Sequence, residues 1–360
     1  MVCCLGILPS GICLFMHLRS TLMRLITLTL VAAFLSSCAI QKAEAYHLAQ
    51  TVPVAGNGRW DLITVDEAAR RVYVSHETQV NVLDADTGKP VAEIDGLLGV
   101  HGIALAADSG QGFITNGKRD SVTIFDMKSF KKVGEVKTGK KPDAITYDPA
   151  THRIFVMNGD SDSSTVIDPS DDKVIGTIAL KGGPEFPVPD NKGHVFVNLE
   201  NEGELLRIDS PEMKVLNRWS VAPGKAPAGL AMDRTNQRLF IGCGNRKLIV
   251  MDALSGKVIA DLPLGDHVDA TAYDPETKQI ISSNNDGTMT VVQQDDADHY
   301  HVAQTVTTPN HSKTLGLDLK THKLFVPAAE FGPIPPATKA NPKRRPDVIA
   351  GTFKVLVFEK

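Results

Sequence analysis

Beyond its first 45 residues the chain carries a single cysteine, Cys243; the others (Cys3, Cys4, Cys13 and Cys38) lie in or beside a leader. A processed domain with one thiol forms no internal disulfide, so packing has to hold it together. Tryptophan is scarce, with Trp60 and Trp219 as its 2 copies. A strong charge field is missing too: the formal net charge is −4, and about −6 once Arg19, Arg24, Lys42 and Glu44 are set aside. Nucleic-acid binders want a basic field with aromatic platforms among the cations. The only basic run here is Lys343, Arg344 and Arg345, so that class is disfavoured. The apolar run 25–35 (LITLTLVAAFL) has 11 residues, too few to cross a bilayer as a helix.

What is present at the N-terminus reads as a targeting segment, residues 1–45, to be left out of the fold. Arg19 and Arg24 flank the apolar run, and Met16 or Met23 would give an ordinary signal peptide. If Met1 is the start, the apolar stretch 3–15 (CCLGILPSGICLF) and the run 25–35 together would serve as an uncleaved anchor. Two processing sites compete. Residues 35–38 (LSSC) look like a lipobox that would place a lipid on Cys38; residues 43–45 (AEA) look like an A-x-A cleavage site. The lipobox has the better position, directly after the apolar run. Either site predicts export, to the periplasm or cell envelope, with membrane attachment through Cys38 in the first case.

The rest of the chain repeats itself. Residues 66–75 (DEAARRVYVS), 108–116 (DSGQGFITN), 148–158 (DPATHRIFVMN), 190–198 (DNKGHVFVN), 233–242 (DRTNQRLFIG), 274–283 (DPETKQIISS) and 318–327 (DLKTHKLFVP) are copies of one segment. A following strand recurs as VNVLDADTGK, VTIFDMKSFK, STVIDPSDDK, LLRIDSPEMK and LIVMDALSGK, each ending at an Asp that an Asx turn explains locally. The residues that open the first strand of each unit are Asp61, His101, Asp143, Glu185, Ala228, Asp269 and Lys313, spaced 40 to 44 apart. Seven units of four short strands predict an all-β, seven-bladed propeller over 46–360. A solenoid, the alternative, would need polar caps that are not visible. The last unit lacks a fourth strand, and residues 46–54 (YHLAQTVPV) resemble the fourth-strand segment 301–307 (HVAQTVT), so the N-terminal strand is expected to complete the last blade.

The segments Tyr73-Val74-Ser75-His76, Phe113-Ile114-Thr115-Asn116, Phe155-Val156-Met157-Asn158 and Phe196-Val197-Asn198 carry a resemblance. The chain resembles the YVTN-type β-propeller repeat proteins over roughly residues 46–360. The resemblance implies the fold and says little about activity. That group is similar to surface-layer-like proteins, periplasmic propellers (one group binding single-stranded DNA), sugar lactonases and the propeller of nitrous oxide reductase. The histidine set of that last copper site is absent here, so its activity is not implied.

The two faces of such a propeller differ in this sequence. One presents repetitive turns (DEAAR, ADSGQ, DPATH, DRTNQ, DPETK, DLKTH). The other gathers His76, Glu77, Asn116, Lys118, Asn158, Glu200, Asn284, Asn285 and the ring of strand openers. Four openers are carboxylates, and crowded like charges need a cation or a proton among them. His101 and Lys313 would offset them internally; a divalent metal (calcium, zinc or copper) is the other solution, with His101, Asp143, Glu185 and Asp269 as candidate ligands. Asp61, His76, His267, His311, Lys313 and Glu330 are candidates for binding a small molecule or an envelope peptide. His267 and His311 sit two residues before their ring positions and should lie near each other. Cys243 reads as a small buried residue. Residues 330–351, Pro-rich and without strand pattern, replace a short turn in the last unit and should reach over this face beside Lys313 and Asp61. Two functions remain: an exported binding or scaffold module, or a metal-dependent, lactonase-like hydrolase in which a metal polarises the carbonyl and a carboxylate or His activates water.

Overall fold

The computed structural model describes residues 45–339 and 344–360; the leader, its processing sites and Cys38 fall outside the described residues. From residue 45 onward the repeat becomes seven four-stranded antiparallel sheets. Their inner strands touch cyclically, the first against the seventh, which makes a seven-bladed β-propeller. Blade 1 is Trp60–Asp66, Arg71–His76, Gln79–Asp84 and Pro90–Ile94, and blades 2 to 6 repeat that order. Blade 7 is Gly316–Asp318, Lys323–Ala328, Lys354–Glu359 and, out of sequence, His47–Pro53. His47–Pro53 pairs antiparallel with Lys354–Glu359, so the N-terminal strand closes the ring as the sequence predicts. Closure covers the edge that Lys354–Glu359 would otherwise expose.

The core is divided among the seams between blades. The second strand of each blade buries an aromatic residue in the seam to the next blade: Tyr73, Phe113, Phe155, Phe196, Phe240 and Phe325, with Ile281 in blade 6. These side chains are fully or almost fully buried. The aromatic of the repeated tetrapeptide is therefore a wedge between blades. Each such ring removes on the order of 150–250 Å² from water.

Polar turn residues add a second tie. The Asp ending the third strand of blades 1 to 5 accepts backbone N–H groups two or three residues on, as Asp84 does from Thr87 and Asp252 from Ser255. On the turn face, the residue four after the first-strand Asp adopts positive φ in several blades (Arg70 56°, His152 53°, His322 58°). From there it reaches the previous blade: Arg70 grips Asp318 with both terminal nitrogens, His152 meets Asp108 at 2.5 Å, and His322 meets Asp274 at 2.7 Å.

Candidate functional site

Each ring residue is placed by a break in its own strand. In blades 1 to 5 the pairing of the innermost strand skips from its first residue to its fourth, as Trp60 to Ile63 and Val100 to Ile103, and in blade 6 from Val268 to Ala270. Asp61, His101, Asp143, Glu185, Ala228 and Asp269 thus drop out of the ladder at one height. A bulge of this kind re-aims a side chain and ends pairing. Neighbouring blades then hold the released backbone. Thr115 donates to the Asp143 carbonyl, Asn198 to Ala228, Ser283 to Lys313, and Thr314 to Asp61. At blade 5 the residue after the ring position has no room for a side chain: a Cβ on Gly229 would lie 2.7 Å from the Thr271 backbone nitrogen of blade 6.

Five ring side chains form one charged chain. His101 Nδ1 lies 2.6 Å from Asp61 Oδ2 and 3.5 Å from Asp143 Oδ1. Lys313 Nζ lies 2.5 Å from Asp269 Oδ2 and 3.8 Å from Asp61 Oδ1. Burial works against the Lys313 charge, but Asp269 and Asp61 overcome it and hold its pKa above the usual lysine value. Burial likewise opposes charge on His101, yet the hydrogen bond it donates to Asp61, with the charge of Asp143, raises its pKa regardless. Asp61 is held low by Lys313 and His101 against the effect of burial. Asp143, with less compensation, is pushed up to about 6 by burial.

Glu185 stands apart. It has no hydrogen bond or ion pair among the described residues, and burial, then Asp143, Glu200, Asp269 and Asp61, push it up to about 9. A carboxyl with that pKa is protonated at neutral pH. The ring therefore answers its own repulsion in two ways, with internal cations on one side and a retained proton on the other.

Above the ring lies a cavity of about 860 Å³, within the range of small-molecule sites. Asp61, His101, Asp269 and Lys313 line it from below, His267, His311 and Asn285 from the side, and Phe331, Ile334, Arg344, Arg345 and Pro346 from the long loop. The loop does reach over the face beside Lys313 and Asp61. Asn285 joins the two histidines: its N–H bonds the His267 carbonyl at 3.2 Å, and its side chain meets His311 Nδ1 at 3.0 Å. The side chains of Asp61, His101 and Asp143 offer ligand atoms within 4.8 Å of one another. Of the four metal candidates, this brings His101 and Asp143 together with Asp61; Asp269 is committed to Lys313, and Glu185 lies outside the trio.

Other candidates are placed elsewhere. His76 is 1% exposed, its ring 4.1 Å from Phe353 and its Nδ1 3.3 Å from Asn81; burial lowers its pKa. Glu330 is exposed and does not line the cavity. Cys243 is buried, its thiol pushed up to about 12, which leaves little thiolate for chemistry. Asn116, Asn158 and Asn284 turn inward, donating to Thr123, Thr165 and Thr290. Sequence reading missed the backbone props Thr115, Asn198, Ser283 and Thr314; a polar residue near the end of the second strand is the signal that could have found the first three. It also missed Arg59 on the cavity wall.

These features define a β-propeller with a charge-lined cavity at its channel mouth. No family model matches the chain, and no curated protein does. Among solved structures it is similar to Kuenenia stuttgartiensis hydrazine synthase, at 16% identity and a TM-score of 0.68, over 84% of this chain and 99% of that one. A likeness at that identity is a likeness of fold.

Proposed function

We propose that this chain is an exported binding module of the cell envelope whose ligand occupies the channel-mouth cavity. The observation that carries the reading is the convergence of a compensated charge network, two linked histidines and a long loop on one cavity of about 860 Å³. Loops on a rigid scaffold are where binding groups gather, and the opposite face carries turns with structural partners. Native mass spectrometry of protein purified from its own envelope tests it. An adduct released on denaturation, and absent after Asp269→Asn with Lys313→Met, is expected; an adduct-free protein would count against it.

Export and lipidation of Cys38 belong to the same reading and rest on the sequence. Cys38→Ser should abolish lipid labelling and release the protein, whereas an intact mass beginning at Tyr46 would select the A-x-A site.

A second reading, metal-dependent hydrolysis of a lactone-like ester, draws on the Asp61, His101 and Asp143 trio. A metal there would polarise a carbonyl. It would first have to displace the proton that Asp61 and Asp143 stabilise on His101, so affinity should rise with pH. Calorimetric titration of metal-stripped protein with calcium, zinc and copper, repeated on Asp61→Asn with Asp143→Asn, decides it: no saturable heat removes this reading.

A further inference from the structure

Three arginines border the upper part of the cavity. Arg59 enters just before the first inner strand, and Arg344 and Arg345 enter from the long loop of blade 7. Arg59 is held from two sides, its guanidinium 5.5 Å over the Phe331 ring and Nη2 donating to the Pro346 carbonyl. That leaves its Nε and Nη1 without a partner among the described residues. Among the described residues Arg344 is tethered through Nε, 3.2 Å from the Pro335 carbonyl. Three of the cavity carboxylates are already engaged: Glu77 with Lys118, Asp61 with His101 and Lys313, Asp269 with Lys313.

We propose that Arg59 and Arg344, with the charge of Arg345 beside them, form an oxyanion subsite that takes a carboxylate or phosphate group of a small ligand, whose apolar part lies against Phe331 and Ile334. This deepens the reading of the cavity as a ligand site and rests on it. Three features of the geometry support it. Guanidinium forks match carboxylate and phosphate oxygens bidentately. Arg59 is already immobilised, so binding costs little further side-chain entropy. Ile334 is 64% exposed while lining the cavity, which leaves an apolar surface for a ligand to cover. The electrostatics agree. Burial, then the charge of Arg345, lower the Arg59 pKa, and Asp347 and Glu77 do not restore it; an anion between the guanidiniums would relieve that repulsion.

Trp60 lines this cavity, and Trp219, stacked on Phe196, lies in the outer strand of blade 4. In a Trp219→Phe protein the emission of Trp60 therefore reports on the site. Titration with inorganic pyrophosphate and, separately, with citrate, each followed by fluorescence and calorimetry, should give saturable binding to at least one. The anion that binds tells phosphate from carboxylate. Arg59→Gln and Arg344→Gln should each weaken it about tenfold or more, the scale of a lost charge-assisted hydrogen bond. Arg344 is on the exposed loop, so its replacement keeps the test decisive even if Arg59→Gln unfolds. No saturable binding of either anion, or binding untouched by Arg344→Gln, overturns the subsite. If a natural adduct is found while both anions fail, the subsite falls and the cavity's role as a ligand site stands.

Discussion

The turn face and the mouth face of this propeller handle charge in opposite ways. On the turn face a charge pair ties one seam, as Arg70, which also holds Asp86 of its own blade, meets Asp318 between blades 1 and 7. At the mouth, Asp61 shares His101 with Asp143 and shares Lys313 with Asp269, so no partner belongs to one residue. The first arrangement fixes neighbouring blades. The second leaves a balance that a ligand or a proton can tip, which is what a binding site requires.

The largest effect should come from removing the strand that makes a ring at all. Deleting residues 46–54 exposes Lys354–Glu359 as an edge and withdraws Tyr46, Val52 and Val54 from two buried clusters. Cooperative thermal unfolding should be lost. A deletion variant with the parent's transition would break the closure argument for both faces.

Next in size is a turn-face clamp. The Asp318 side chain is 0% exposed, and Arg70 of the next blade supplies its counter-charge and two hydrogen bonds, beside those from the Lys320 backbone and the Thr321 hydroxyl. Arg70→Ala leaves that carboxylate buried without its counter-charge, at a cost of about 3–5 kcal/mol. Arg70→Lys, which keeps charge but not the fork, should fall between the two in urea denaturation.

The mouth should respond less, and differently. Lys313→Met leaves Asp61 and Asp269 facing each other, yet the Lys313 side chain is 40% exposed, so water screens the loss to about 1–2 kcal/mol. Adding Asp269→Asn should recover most of that, because the repulsion goes with the charge. If the double variant is as unstable as the sum of the singles, the shared network is an illusion of distance and the mouth behaves like the turn face.

Much of this architecture could be read from the chain. The blade register followed from Asp turns at fixed offsets, and the closing strand from the likeness of residues 46–54 to 301–307. The position of the ring was legible because every unit opens at one place in the repeat. Which charges would pair across it was not, since that depends on side-chain reach between blades tens of residues apart. Asn116, Asn158 and Asn284 could not be told from ligand groups by type, and only the cross-strand threonines explain them. The turn-face clamps left a trace that local turn chemistry hid: DEAAR, DPATH and DLKTH each place a basic or imidazole residue four after the Asp. Only the positive φ at that residue reveals why it points to the neighbouring blade.

The subtlest difference between the faces concerns Glu185, the ring carboxyl with a proton in place of a partner. Its folded pKa, about 9, lies above the ordinary value of 4.5, with burial the first cause and the other carboxylates the next. The sign follows by linkage: the folded state binds the proton more tightly, so its stabilisation is complete below about pH 4.5 and is lost as pH rises toward 9. Asp143, raised to about 6, adds to the same slope at its acidic end. Paired turn-face carboxylates behave oppositely; Asp318, held low chiefly by Arg70 and Thr321 despite burial, loses its contribution only on acidification. Glu185→Gln keeps the size of the neutral side chain and cannot ionise. Because the residue is only half-buried beside the channel, the gain should be modest, about 1–2 kcal/mol at pH 9, and near zero at pH 4.5. Urea midpoints measured for both proteins from pH 4.5 to 9 should start together and diverge upward for the variant. Parallel curves would mean that Glu185 is ionised throughout, and that the mouth neutralises its last carboxylate with a cation after all.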